Sequence, residues 1–294
     1  MPNVTVIVPC YNEQATIRML LEALYQQTYP RQEMEVIIAD GLSTDATRQV
    51  IAQFQDDHPD LPVKVIDNPQ RAIPAGLNRA IAHGKGSILI RLDAHSVPHP
   101  EYVSLCVKDL EQGLGANVGG VWQIHPGGSG GLARAIAVAA AHPLAVGDAH
   151  YRHSDRPRSV DTVPFGAFRR ELLDRIGGYN ENLKTNEDYE FNARVRQAGG
   201  VIWLDPAIRS TYFSRRTLGE LARQYWRYGY WKARMLKRYP HTLRWRQALP
   251  PLFILSLLIL SLLIPWLPFA RFLLIFEVAL YLTILGIARS EEHT

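Results

Sequence analysis

The first 125 residues alternate between short apolar runs and stretches with helical spacing, and this rhythm restricts the chain more than any other feature. "VTVIVP", "EVIIAD", "VKVID", "SILIRLD" and "NVGGVWQI" read as buried strands. Between them, "EQATIRMLLEALYQQ" repeats apolar residues at Ile17, Leu20, Leu21 and Leu24. "STDATRQVIAQF" opens a helix on a Ser-Thr-Asp cap. "IPAGLNRAIAHG" has Pro74 near its first turn and Gly84 past its end. "PEYVSLCVKDLEQ" is a fourth helix. The alternation predicts an α/β fold with a mostly parallel sheet and helices on both faces. The 294 residues allow one such domain and an appendage.

Residues 126–165 are looser, and "GDAHYRHSDRPRSVD" reads as a polar loop. Helical segments are expected near Arg169 and from Asp188 to Gln197, and late strands at "VIWLD" and "IRSTYF". No signal peptide is visible at Met1. Cys10 and Cys106 cannot make a disulfide framework and suit a reducing compartment as small apolar residues.

Charge is unevenly placed. Between Arg215 and Arg246 there are ten Lys or Arg and one acid, Glu220, so a local +9 sits in a chain of net charge +4. The basic character is therefore a surface for anions, not a property of the whole molecule. From 248 to 270 there is no charged residue, and "LFILSLLILSLLIPWLPF" is almost wholly apolar. A second run, 272–288, contains one acid, Glu277. Two membrane-spanning segments are expected, with one kinked interfacial segment or a core helix as alternatives. Trp226, Tyr230, Trp231 and Tyr239 interleave with Lys232, Arg234, Lys237 and Arg238, a mixture suited to a membrane headgroup region rather than to nucleic acid.

Ligands in open α/β sheets sit at the carboxyl ends of strands. "PCYNE" follows the first strand, Asp40 closes the second, and Asp93 and His95 close the fourth. The fold would gather these around one crevice. Neither a G-x-G-x-x-G nor a Walker loop is present, which argues against a dehydrogenase or P-loop enzyme.

"VTVIVPCYNEQATIRMLLEALYQQTYP", "VIIADGLSTDATRQVI", "RLDAHS", "FGAFRRELLDRIGGYNENLKTNEDYEFNARVRQAGG" and "LARQYWRYGYWKARML" together resemble inverting glycosyltransferases of family 2, which have the GT-A fold. Within them the pattern is similar to succinoglycan-biosynthesis glucosyltransferases with a carboxyl-terminal membrane anchor. The resemblance implies that Pro9, Tyr11 and Glu13 hold the base and ribose of a nucleotide sugar, that Asp40 accepts from the base, and that Arg71 offers charge to the phosphates. A helix start at Asn12 and Glu13, and a turn cap at Asp40, remain the plainer readings.

Family members usually carry Asp-x-Asp where this chain has Asp93-Ala94-His95. The resemblance makes Asp93 and His95 the place of Mn²⁺ or Mg²⁺ beside the donor's diphosphate. Imidazole suits Mn²⁺ better than Mg²⁺. It also implies Asp188 as general base with Glu187 beside it, although two acids at a helix start equally suit the helix dipole. Gly166 would let the acceptor approach the backbone. "QYWRY" is similar to Gln-x-x-Arg-Trp, with Tyr228 in place of Trp. Gln224 and Arg227, at i and i+3, are expected to share a face toward the diphosphate.

The expected organisation is a GT-A nucleotide-sugar-binding domain over 1–214, a basic aromatic interfacial region over 215–247, and a membrane anchor over 248–290. The expected activity is metal-dependent, inverting transfer from UDP-glucose or a similar donor to a lipid-linked saccharide, at the cytoplasmic face of the inner membrane. A polyprenyl-phosphate sugar synthase and a catalytically silent membrane scaffold are the alternatives.

Overall fold

The computed structural model describes residues 2–183, 185–240 and 243–291. Its centre is one sheet. Four parallel strands come first: β1 (Val4–Cys10), β2 (Met34–Asp40), β3 (Val63–Asp67) and β4 (Ile88–Arg91), in the spatial order β3-β2-β1-β4. The helices between them are α1 (Ile17–Tyr25), α2 (Thr47–Asp57) and α3 (Ile73–His83). All seven residues of β2 are buried, as expected for a strand covered on both faces. On α1 the four apolar residues read from the sequence, Ile17, Leu20, Leu21 and Leu24, are the buried ones. Each stabilises the fold by about 1.5–3 kcal/mol relative to exposure.

The remaining strands make the sheet mixed, which corrects the expectation of a mostly parallel one. β5 (Val97–Pro98) is followed by α4 (Tyr102–Glu111) and β6 (Asn117–His125). Then come α5 (Gly131–Ala141), α6 (Pro143–Val146), β7 (Arg158–Ser159) and β8 (Ala167–Arg169). Three residues of β8 slot antiparallel between β4 and β6. The chain reverses into β8 through Phe165 and Gly166, both at positive φ (61° and 45°). Glycine adopts that conformation without cost, and at Gly166 a Cβ would stand 2.6 Å from Asn117 Oδ1. After α7 (Leu172–Ile176) and α8 (Glu187–Gln197), the two late strands expected from sequence form one, β9 (Ile202–Phe213). It runs parallel to β6, with a register shift between Gly119 and Val121.

Two apolar clusters flank the sheet. Cys10 and Cys106 are buried and unpaired. Just before α2, Asp45 Oδ1 accepts from the Thr47 amide at 3.0 Å.

α9 (Leu218–Arg238) begins on Thr217, whose hydroxyl accepts from the Glu220 amide. It leads to α10 (Trp245–Leu263) and α11 (Pro268–Glu291), which pack on each other as a hairpin. Phe253 and Tyr281 rings lie 5.0 Å apart, and Ser256 Oγ donates to Glu277. Among the described residues no helix is long and apolar enough to cross a membrane, so the expectation of two transmembrane segments is not supported. Pro250 and Pro251 and the polar start of α10 leave residues 252–263 as the apolar stretch. At 1.5 Å per residue that is about 18 Å, against a hydrocarbon core of about 30 Å. α11 carries Arg271 and Glu277.

Candidate active site

The strand ends converge as the sequence suggests. After β1 the backbone turns through Asn12, at φ 55°. Tyr11 packs against Gly41, where a Cβ would come within 3.0 Å of its ring, and the Arg71 guanidinium lies 5.4 Å above the ring centroid. Tyr11 and Arg71 are thus neighbours, at the exposed mouth of the crevice. Pro9 is inside β1, toward Gly76 of α3.

Asp40 is fully buried. Its carboxylate accepts from the Ser43 amide and hydroxyl and from Arg48, which also reaches Asp67 at the end of β3. Asp40, expected from the resemblance to meet a nucleobase, thus holds the turn after β2 and, through Arg48, is linked to Asp67.

The charged centre lies between β4 and α8. Arg91, the last residue of β4, is almost wholly buried. Its Nη2 donates to Glu187 Oε1 at 2.8 Å and to Asp93 Oδ1 at 3.2 Å. Asp188 is the next residue of α8 and remains partly exposed. Its Oδ1 accepts from the Tyr189 amide at 2.8 Å. Residues from distant parts of the chain, Asp93, Glu187 and Asp188, therefore meet around one guanidinium.

Their titration follows from this packing. Burial raises the Glu187 carboxyl, Arg91 opposes the rise, and Asp188 adds to it. Burial also raises Asp188, again opposed by Arg91, with the Asp93 charge raising it further. For Arg91, burial works against the charge, yet Asp93 and Glu187 hold it protonated well above the ordinary arginine range. The two acids thus have separate places. Glu187 is buried in an ion pair, and Asp188 is partly exposed.

His95 follows Asp93 around the turn. Its Nδ1 lies 3.1 Å from Glu13 Oε1, and Thr16 donates to the other oxygen of Glu13. The Glu13 hydrogen bond raises the His95 imidazole, burial lowers it and Asp93 raises it. No group of three or more His, Cys, Asp or Glu residues gathers in metal-binding geometry among the described residues. The donor chemistry nevertheless fits a divalent cation completed by a substrate. Glu13 on Nδ1 leaves Nε2 for a ligand, as carboxylate-oriented metal histidines do. Asp93 supplies a carboxylate, and hard cations at phosphate sites take only one or two protein ligands.

Gln224 and Arg227 depart from expectation. The inward face of α9 runs Gln224, Tyr228, Trp231, Met235, in steps of four, three and four. Gln224 is buried, with Nε2 donating to Tyr212 and Tyr228 hydroxyls and Oε1 accepting from Arg215. Arg227 falls outside that stripe and is exposed. A spacing of i, i+3 placed both on one side, but the helix packs along i, i+4. Arg215, just beyond β9, is a further cation near the crevice, and its charge opposes protonation of His95. Its position at a strand end was the signal in the sequence that could have pointed to it.

Comparison with known proteins places this geometry. The family model described as "Glycosyl transferase family 2" matches residues 5–177. The chain belongs to glycosyl transferase family 2. It is 32% identical to the succinoglycan biosynthesis protein ExoA of Rhizobium meliloti, over 83% of this chain and 73% of that one. It is 27% identical to a dolichyl N-acetyl-alpha-D-glucosaminyl phosphate diacetamido-dideoxy-glucuronosyltransferase of Methanococcus voltae, over 89% and 83%. The mannosyltransferase PcManGT of Pyrobaculum calidifontis, solved with GDP-Man and Mn²⁺, superposes with a TM-score of 0.71 at 23% identity, over 96% of this chain and 81% of that one. As a family 2 member, the chain is related to enzymes of polysaccharide biosynthesis and has the α/β GT-A-like fold with a mixed sheet.

Proposed function

We propose that this protein is an inverting glycosyltransferase, moving a hexose from a nucleotide sugar such as UDP-glucose to a lipid-linked saccharide in polysaccharide synthesis. The observation that carries the reading is the meeting of Asp93, Glu187 and Asp188 around buried Arg91. Relatives support the donor class: S. aureus TarS has been solved with UDP-GlcNAc, and PcManGT with GDP-Man.

Asp188 takes the proton of the acceptor hydroxyl as that oxygen attacks the anomeric carbon. Its raised basicity suits a general base better than an ordinary surface aspartate. Attack opposite the leaving diphosphate inverts the anomeric centre. Glu187 does not touch substrate; paired with Arg91, it fixes the start of α8 and so the direction of Asp188. Tyr11, Arg71 and the β1 turn form the nucleotide end of the crevice. Asp93 and His95 hold Mn²⁺ or Mg²⁺ when it binds, and the cation supplies charge stabilisation to the diphosphate. Arg215 adds a cation from the β9 side.

The hairpin attaches the protein to the cytoplasmic face of a membrane. Leu255, Leu258, Leu262, Phe269, Phe272 and Phe276 are all more than half exposed, an apolar area that water-soluble surfaces seldom carry. It dips into one leaflet instead of spanning two, with the basic aromatic α9 at headgroup level.

A thermal-shift screen of UDP, GDP and CMP with Mn²⁺ tests the donor site: stabilisation by one of them is expected, and none by any would remove the transferase reading. Product analysis with added glycolipid or bare polyprenyl phosphate identifies the acceptor.

A further inference from the structure

A cavity of about 170 Å³ lies between the turn at residues 180–183 and the last turns of α9. It is separate from the cluster around Arg91. Its apolar wall is Leu183, Met235 and Trp231, and the side chains of Asn180 and Asn182 stand at its edge. A cavity of about 150 Å³ accepts benzene, so this one takes a single ring-sized group.

Two arginines give the pocket its charge. Arg234 and Arg238 are one helical turn apart and both line it. Arg234 donates to the Tyr230 hydroxyl at 3.0 Å and lies 5.2 Å from the Trp231 ring centroid; Arg238 lies over Tyr239. Among the described residues neither is paired with a carboxylate. The acid nearest in the hydrogen-bond network, Glu190, is already held by Arg194 at 2.8 Å and by the Tyr239 hydroxyl. Two forked guanidinium groups without an acid, beside amides and an aromatic ring, match a phosphate joined to a sugar-sized ring.

The pocket is also placed for it. The turn at 180–183 runs directly into the start of α8, where Asp188 sits, and α9 runs on toward the apolar hairpin. Asn186, which caps α8, reaches the Tyr228 carbonyl of α9 at 3.5 Å, so the two walls are tied together.

We propose that this pocket binds the phosphate-bearing end of the acceptor, with the phosphate between Arg234 and Arg238 and one ring against Trp231. The assignment to the acceptor rests on the transferase reading; the binding chemistry does not. The test is calorimetric titration with glucose 1-phosphate while UDP and Mn²⁺ occupy the donor crevice. The wild type should bind it at least tenfold more tightly than glucose or inorganic phosphate. Arg234→Gln/Arg238→Gln should lose at least tenfold, with UDP affinity and circular dichroism unchanged. Arg238→Lys, which keeps a cation and the fold, should lose less. Equal binding of glucose and glucose 1-phosphate, or a double variant that binds as the wild type does, overturns the proposal. Displacement by phosphatidylglycerol vesicles at equal phosphate would assign the pocket to bulk lipid headgroups and overturn the acceptor role. Failure of UDP to bind the wild type would instead sink the transferase reading; titration without UDP would still read the pocket.

Discussion

Arg91 Nη2 stands 2.8 Å from Glu187 Oε1, and this pair joins the strand end that carries Asp93 to the helix start that carries Asp188. Both partners are over nine-tenths buried, so each charge depends on the other. Arg91→Met leaves Glu187 in a dry site without its cation and should cost about 3–5 kcal/mol. The loss should shrink as pH falls, because a carboxyl whose pKa rises further takes up a proton and sheds the unpaired charge. Arg91→Met/Glu187→Met should recover much of it. Urea unfolding at two pH values measures both effects.

Asp188 is raised by burial and by Asp93. A base works only when ionised, so the transfer rate should fall as pH drops through a value above the usual aspartate range. The acid limb of kcat against pH reports it. A limb at the ordinary aspartate value would show that another group is titrating.

Glu13 orients His95. Glu13→Gln should weaken Mn²⁺-dependent nucleotide binding about 10–100-fold, the usual effect of losing a partner behind a metal ligand. Asp93→Ala should remove the metal dependence altogether. His95→Asp should keep it and shift preference toward Mg²⁺, which favours oxygen ligands. Calorimetry with UDP and each cation separates these outcomes.

Gly166 combines φ 45° with contact between its missing Cβ and Asn117. Gly166→Ala should destabilise the protein by about 1–3 kcal/mol through strain at the reversal into β8. Chemical denaturation would show it.

The apolar hairpin should carry the membrane contact. Leu258→Glu/Leu262→Glu should abolish flotation with anionic vesicles and leave UDP affinity untouched. Unchanged flotation would move the contact to another surface.

Much of the fold was legible because parallel strands covered on both faces read as continuous apolar runs, as β2 does. β5, β7 and β8 are two or three residues long and leave no periodicity to read. The union of the late strands into β9 was hidden because "DPA" looks like a break; it falls in the register shift beside Gly120, where pairing with β6 passes from Leu204 to Arg209. In the site, the acids could be placed by their strand and helix ends. The different roles of Glu187 and Asp188 could not, because burial decides them and adjacent letters do not show it. Arg227 was chosen because a spacing of three matched a motif, whereas packing selected the i+4 stripe. The pocket at Arg234 joins two segments separated by all of α8 and β9, and only tertiary structure brings them together.

The most direct test of the account compares Asp188→Asn with the wild type, measuring nucleotide affinity in Mn²⁺ and the rate of sugar transfer from the same donor. The account predicts equal affinity and a rate lower by about 10²–10⁴-fold, the usual contribution of a positioned base. An unchanged rate would contradict it.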